Sequence, residues 1–412
     1  MASTEEQTLA PDSALLSQIF PNQIVSDITT EILSQTFEAC TFSAHLKNGR
    51  GEKYAIRLEN PGTKAPAVAA MQDIGGRIIG TDRATRPGET CRDLALEVFG
   101  TGQATLENGR KVAYSVSEFA LHATTLEDIV DDLSDTQISH IIAQIMKGVN
   151  YMQVVNPDAE DFRSRLADIE EAQSSKPNRI KRGGPSTGWF DTPVDLFRGM
   201  LAALDTYKRC TVTETEDGGL KVQSSVEGVE PVTLSKLDMV YHSTTATFCH
   251  NDLEPRNVLV REKQVGVESE EIQYELVAII DWEMAGVYPE GFEMAIKDRV
   301  LGSSNLNFRW YRELRDQVAQ IPRRAAAPSA FKSPIPAFDV VVRSNAAVRG
   351  TVRNVGARVA AKWIEREQLI LSEDPSKGWV RHPDAGKVKR YTKEDNKELE
   401  LTVLKEMGIV PS

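Results

Sequence analysis

The chain has 412 residues, room for two or three domains, and its 41% hydrophobic content is that of ordinary soluble cores. A net charge of −12 argues against a generic nucleic-acid coat. Four scattered cysteines without a C-x-x-C pair argue against a zinc site or disulfide framework, and for a reducing compartment, the cytoplasm. No signal-peptide apolar core and no membrane-length apolar run is present.

Residues 12–39 are expected to form two short helices, because Leu15, Leu16 and Ile19, then Ile28, Ile32 and Leu33, each share a face. Residues 41–46 and 53–58 alternate as strands, joined by the turn Lys47-Asn48-Gly49-Arg50-Gly51. Arg57 lies on the second strand, either gripping phosphate or facing solvent. No glycine occurs over 34–39, so a phosphate-covering glycine loop is missing ahead of these strands. A helix over 67–79 offers only Gln72 and Asp73 as partners for the arginine. Further strands are expected over 94–119 around Glu107-Asn108-Gly109-Arg110, ending at Ser117-Glu118-Phe119-Ala120.

Thr125 is a candidate cap for a first helix, with Asp128 three residues on; a second is expected over about 136–153. Its stripe of Ile138, Ile141, Ile145, Val149 and Met152 is ordinary core. Residues 156–190 are polar and rich in Gly, Pro and Ser, which reads as a long surface loop. Thr192-Pro193 starts another helix, and 211–232 reads as a variable insert near an acceptor pocket.

The chemistry concentrates over 248–286. Asp252 follows His250 by two positions and Asn257 follows Asp252 by five, the H-x-D-x-x-x-x-N spacing of a kinase catalytic loop. There the Asp accepts the hydroxyl proton and the Asn holds a metal ion. Residues 258–260 and 276–280 read as two short buried strands that return the chain to Asp281, a second metal-binding carboxylate. Phosphoryl transfer asks little more of a protein than in-line positioning and charge neutralisation. Downstream, residues 290–295 start a helix expected to bury Phe292, Met294 and Ala295. Glu283 and Glu293 are each open to a cationic acceptor or a neighbouring arginine, and the structural partner is favoured.

The run His250-Asn251-Asp252-Leu253-Glu254-Pro255-Arg256-Asn257 resembles the aminoglycoside phosphotransferase/choline kinase family. So does Ile280-Asp281-Trp282-Glu283-Met284-Ala285-Gly286 with Tyr288-Pro289-Glu290, in the manner of fungal members. The resemblance is specific over about 248–297, looser over about 40–247, and absent beyond roughly 322. It implies an α+β, two-lobed protein-kinase-like fold, here with a small β-rich nucleotide-holding lobe over 1–118. A mainly helical lobe with catalytic loop and metal site would span 119–322, and a linker with a basic helical extension 323–412. By this resemblance Asp252 is the catalytic base, His250 a brace for its loop, and Asn257 and Asp281 the Mg²⁺ ligands. Arg57 stands where a kinase strand lysine steadies the phosphates, and Glu118 to Ala120 where backbone groups meet the adenine of ATP. The implied activity is ATP- and Mg²⁺-dependent transfer to a small-molecule hydroxyl or amine, with fungal secondary metabolism as a setting. The absent glycine loop and the absent helix glutamate depart from the pattern.

From Arg323 the composition turns linker-like, through Arg324, Ala325, Ala326, Ala327 and Pro328. Val348, Val352, Val355, Val359 and Trp363 then form one helical stripe, with Arg349, Arg353, Arg358, Lys362 and Arg366 away from it. Residues 323–393 hold 15 Lys and Arg against 6 Asp and Glu. The plain reading is a solvated helix docking its valine face; the sharper one is an anionic partner such as RNA or tRNA, a membrane surface or an acidic protein. Two further function classes stay open. One is a catalytically retired kinase fold acting as a binding module, favoured by the poor amino-terminal lobe. The other is a kinase-fold enzyme using a charged RNA carrier, as arginine-containing cyclodipeptide synthases use aminoacyl-tRNA. For that reading the features are the basic segment and the cluster Glu394, Asp395 and Glu398.

Overall fold

The computed structural model describes residues 9–36, 39–47, 52–61, 65–80, 95–263, 273–320 and 329–411. Two compact units result. The first is Met1–Thr124 with Leu259–Arg261 and Val277–Glu283; the second is Thr125–Val258 with Glu262–Leu276 and Met284–Ser412.

The first unit is built on an antiparallel sheet of strands β1 (Ile28–Gln35), β2 (Ala39–Leu46), β3 (Lys53–Glu59), β4 (Val98–Thr105) and β5 (Lys111–Glu118). Their order is β1-β2-β3-β5-β4. One face buries Cys40, Phe42, Ala44, Ile56 and Leu58 against Leu15 and Leu16 of helix α1 (Ser13–Ile19). The period of two then turns Arg57 and Glu59 to the opposite face. Helix α2 (Ala65–Gly80) lies where a helix is expected.

The second expected helix is instead edge strand β1. Ile28 is its buried residue, while Ile32 and Leu33 are 48% and 47% exposed. Ile28, Thr29, Thr30 and Ile32 are β-branched, and pairing with β2 outweighs a helical spacing of three apolar residues. The β1–β2 connection is where a glycine loop would sit; Thr36 closes it, its N–H donating to the Ala39 carbonyl at 2.8 Å. The glycine turn expected at 47–51 lies largely outside the described residues, bracketed by the pairing of His45 with Lys53.

The second unit is mainly helical: α3 (Leu126–Ile129), α4 (Asp135–Val154), α5 (Glu160–Arg165), α6 (Pro193–Leu204), α7 (Lys236–Thr244), α8 (Phe292–Val300), α9 (Phe308–Val318), α10 (Ile335–Val348), α11 (Val355–Arg366) and α12 (Lys393–Glu406). A Ser134/Gln137 capping box starts α4, whose expected stripe is buried. Thr192 caps α6 as expected.

The segment 156–190 is not a surface loop. It contains α5, a hairpin of strands Arg182–Gly184 and Gly188–Phe190, and buried Phe162, Leu166, Ile169, Ala172 and Ile180. Its glycines serve close packing: a Cβ on Gly183 would lie 2.0 Å from the Gly188 carbonyl oxygen, and one on Gly184 2.2 Å from that of Ala285. The supposed insert at 211–232 is likewise structural. Its strands Leu220–Ser224 and Val232–Leu234 place Leu220, Val222 and Leu234 in the core with α6 and α10. In α8 Phe292 and Ala295 are buried as expected, but Met294 is only half-buried.

The carboxy-terminal segment is also core rather than a peripheral extension. Ala337, Phe338, Val340 and Val341 of α10 share a cluster with α6 and α8; Trp363 and Trp379 share another with Leu301, Phe308 and Tyr311. The valine stripe is broken at 349–354, and Arg349, expected on the solvent side, is 3% exposed. Several of the basic residues are paired internally: Arg343 with Asp339, Arg381 with Glu367, Lys362 with Glu406, Lys389 with Asp395 and Lys393 with Asp128. Two of these acids lie within the segment and three outside it, so the pairs offset three of the nine excess cations, and nothing among the described residues points to RNA. The acid cluster is a helix start, with Asp395 in a capping box with Thr392. Of the expected linker, 323–328 lies outside the described residues, and α10 begins at Ile335. Among the described residues no helix is long and apolar enough to cross a membrane.

Candidate active site

Strand Thr247–Cys249 leads into a buried polar loop, in which His250 and Asn251 are wholly buried and Asp252, Glu254 and Asn257 nearly so. Such a loop stands because most of its polar groups are bonded, although Asn251 Oδ1 and Glu254 Oε2 are buried with no partner among the described residues. Glu293, in the first turn of α8, accepts the backbone N–H groups of His250 (3.2 Å) and Asn251 (2.9 Å). Asn251 adopts φ +65°, a left-handed conformation that Asn tolerates, and its side-chain amide donates to the Met284 carbonyl at 2.9 Å. The Asp252 N–H donates to His250 Nδ1 at 3.2 Å, a bond within the loop. Trp310 of α9 donates from Nε1 to the Leu253 carbonyl at 3.0 Å.

The Asp252 carboxylate is clamped. Oδ2 accepts from Arg256 Nη2 at 2.8 Å and Asn257 Nδ2 at 2.7 Å, and Oδ1 accepts from Arg256 Nη2 at 3.0 Å. Asn257 Nδ2 also reaches the Asp252 carbonyl at 2.9 Å. Burial alone would push this carboxyl up, but the charges of Lys297 and Arg256 outweigh it and hold Asp252 below the usual carboxylate range. It is therefore ionised at neutral pH. Lys297 itself is fully buried and pairs with Glu254 at 2.6 Å. Burial raises Glu254 above its ordinary value against the pull of Lys297. Glu254 and Lys297 were not singled out from the sequence. A usable signal was there: Glu293 and Lys297 stand four apart, on one face of a helix, among apolar residues.

In the first unit Arg57 gathers three carboxylates. Its Nε donates to Glu59 Oε1 at 2.6 Å, Nη1 reaches Asp281 Oδ1 at 3.4 Å and Nη2 reaches Glu283 Oε2 at 3.3 Å. Burial would lower the guanidinium's pKa, but Asp281, Glu59 and Glu283 together raise it. The partner sought on α2 is thus on the strand itself, where Arg57 and Glu59 share a face, and Gln72 bonds the Leu96 carbonyl instead. Glu283, like Glu293, has a partner within the chain. Asp281 adopts φ +62°, and the following Trp282 is fully buried, donating to the Ile279 carbonyl at 3.0 Å. Its ring abuts α2, where a Cβ on Gly75 would come within 2.5 Å of it.

Glu118 ends β5, its N–H donating to the Glu97 carbonyl at 2.8 Å, and Ala120 lies in the segment after it. The structure therefore brings Asp252, His250 and Asn257 together in the second unit. Arg57 and Asp281 meet in the first, which also holds Glu118 and Ala120.

Comparison with known proteins bears on the same residues. Residues 105–297 match the model of the choline/ethanolamine kinase family. Among solved structures, an ethanolamine kinase of Plasmodium vivax is 10% identical over 97% of this chain and 87% of that one, with a TM-score of 0.37. A choline kinase of Cryptosporidium parvum is 11% identical over 97% and 98%, with a TM-score of 0.35. A macrolide 2'-phosphotransferase of Brachybacterium faecium is 14% identical over 85% and 97%, with a TM-score of 0.36. No curated protein sequence matches the chain. The family match ends at Lys297, on the helix that closes the motif-bearing region, and so takes in His250, Asp252, Asn257 and Asp281.

Proposed function

We propose that the protein is a small-molecule kinase in which Asp252 takes the proton of an acceptor hydroxyl or amine as the γ-phosphoryl group of ATP moves to it. The observation that carries this reading is the Asp252 carboxylate, kept ionised and fixed by Arg256 and Asn257 on a buried loop. A base must be unprotonated and aimed before the acceptor arrives, and the clamp does both. Asn257 uses its amide nitrogen on Asp252, and its oxygen would be one ligand of a metal ion; the Asp281 carboxylate would be the second. Amide and carboxylate oxygens are the hard donors that Mg²⁺ takes, together with phosphate oxygens. Bound there, Mg²⁺ would neutralise charge on the phosphates. Arg57, on the face opposite the apolar core, would steady them, and the Glu118 carbonyl and Ala120 N–H would receive adenine.

Calorimetry tests the cofactor assignment. ATP is expected to bind with Mg²⁺ and weakly without it, and Asp281→Ala is expected to lose that metal dependence. Equal, metal-independent binding by both proteins would contradict it.

A further inference from the structure

A cavity of about 350 Å³ lies inside the second unit, between α4, α7, α8, α9 and α10. Val149, Leu253, Leu314, Val318, Phe338 and Val342 supply apolar wall, and neither Asp252 nor Asn257 lines it. The space is therefore separate from the base and its clamp. Its size and walls suit a small molecule, which such pockets orient by a few polar groups.

Those groups are carboxylates. Glu290, Glu293, Asp298 and Asp339 all line the cavity, and among the described residues Arg315 is its one Lys or Arg. Glu293 is engaged by the backbone N–H groups of His250 and Asn251. Asp298 of α8 and Asp339 of α10 each keep one oxygen uncommitted. Tyr311 Oη, at 2.6 Å, and Arg315 Nη1 both donate to Asp298 Oδ1. Asp339 Oδ2 accepts from Arg343 Nε at 2.5 Å. Asp298 Oδ2 and Asp339 Oδ1 take no hydrogen bond among the described residues, and Asp298 is only 8% exposed. Burial pushes both carboxyls above their ordinary values, and the charge of Asp339 adds to the rise at Asp298.

Carboxylate oxygens withdrawn from water call for N–H donors that carry positive charge. No group of three or more His, Cys, Asp or Glu suited to a metal ion occurs among the described residues, which leaves an organic cation. We infer that this cavity is a ligand site apart from Asp252, and that its ligand is a primary or secondary amine with an alkyl chain. The ammonium N–H groups donate to Asp298 Oδ2 and Asp339 Oδ1, and the chain lies against Leu314, Val318 and Phe338. A quaternary ammonium has the charge but no N–H to give.

The intact protein is melted with increasing n-hexylamine, hexyltrimethylammonium or hexanoate at neutral pH and constant ionic strength. Hexylamine is expected to raise the melting temperature of the wild type, hexyltrimethylammonium to do so less, and hexanoate not at all. The half-effective hexylamine concentration should rise about ten-fold in Asp339→Asn, as when one charge-assisted hydrogen bond is lost. Val318→Phe, which fills the wall without altering a carboxylate, should weaken the effect to a similar degree. Asp217→Asn, on an exposed turn outside the cavity, should keep it. No effect of hexylamine, an equal effect of hexanoate or hexyltrimethylammonium, or an unchanged response in either cavity variant would overturn the inference. None of these outcomes depends on ATP or on Asp252, so the kinase reading stands or falls separately.

Discussion

Asp252 and Lys297 make opposite demands on a substitution. Asparagine at 252 keeps the shape of the side chain and a hydrogen bond to Asn257 but takes no proton at neutral pH. Turnover should fall about a hundred- to ten-thousand-fold, the usual worth of general-base help. ATP affinity should barely move if, as proposed, Asp252 serves the acceptor; a parallel loss of both, by kinetics and calorimetry, would assign Asp252 to nucleotide binding instead. Lys297 answers to stability. Lys297→Met strands Glu254 as an unpaired buried carboxylate and should cost about 3–5 kcal/mol in denaturant unfolding; the double change with Glu254→Gln should cost less. If the double variant is the less stable, the pair is not the reason for the loss. The contact of Asp252 with Asn257 was legible because their spacing is local. The Glu254–Lys297 pair spans 43 positions and Arg57–Glu283 spans 226, so only the fold reveals them.

Two elements carry sharp tests. Gly183 has φ +113° and no room for a Cβ, whereas a Cβ on Gly100 of β4 would meet nothing within 4 Å. Gly183→Ala should destabilise by more than about 2 kcal/mol and Gly100→Ala by less than about 1, measured by denaturant unfolding; similar values would deny the close approach. Helix α12 is tied to pH. Backbone N–H donation from Thr392, then Lys389, depresses Asp395 to about 2. A depressed carboxyl stabilises above its ordinary value, and the contribution is lost as pH falls through the folded one. Protection of the first-turn amides of α12, taken relative to the unstructured chain at each pH, should therefore fall between about pH 4 and about pH 2 in wild type, and hardly change in Asp395→Ala. Strands β2 and β3 and helices α4 and α6 were legible from period and caps, whereas α9, α10 and α12 were not expected. The segment 156–190 was misread although Phe162, Leu166 and Ile169 keep helical spacing, because its Gly, Pro and Ser content argued for a loop. In β1, propensity pointed to strand and spacing to helix, and pairing decided.

At the scale of the whole molecule, the division into a β-rich and a mainly helical unit was expected from the family resemblance, but the place of the last eighty residues was not. Asn345 of α10 donates to the Leu204 carbonyl at 2.7 Å across 141 positions, and Phe338 packs in the core beside Phe197 and Phe292. Long-range docking of this kind leaves no period in the sequence. A chain ending at Gln320 should therefore aggregate or lose its cooperative melt, and a soluble, cooperatively melting one would show that α10 and α11 are dispensable. The central claim is phosphoryl transfer through Asp252. It is tested most directly by mass spectrometry of a metabolite extract incubated with ATP, Mg²⁺ and either wild type or Asp252→Asn. A phosphorylated small molecule is expected to form with wild type and not with Asp252→Asn. A product that forms equally with both, or no phosphorylated product with wild type, would contradict it.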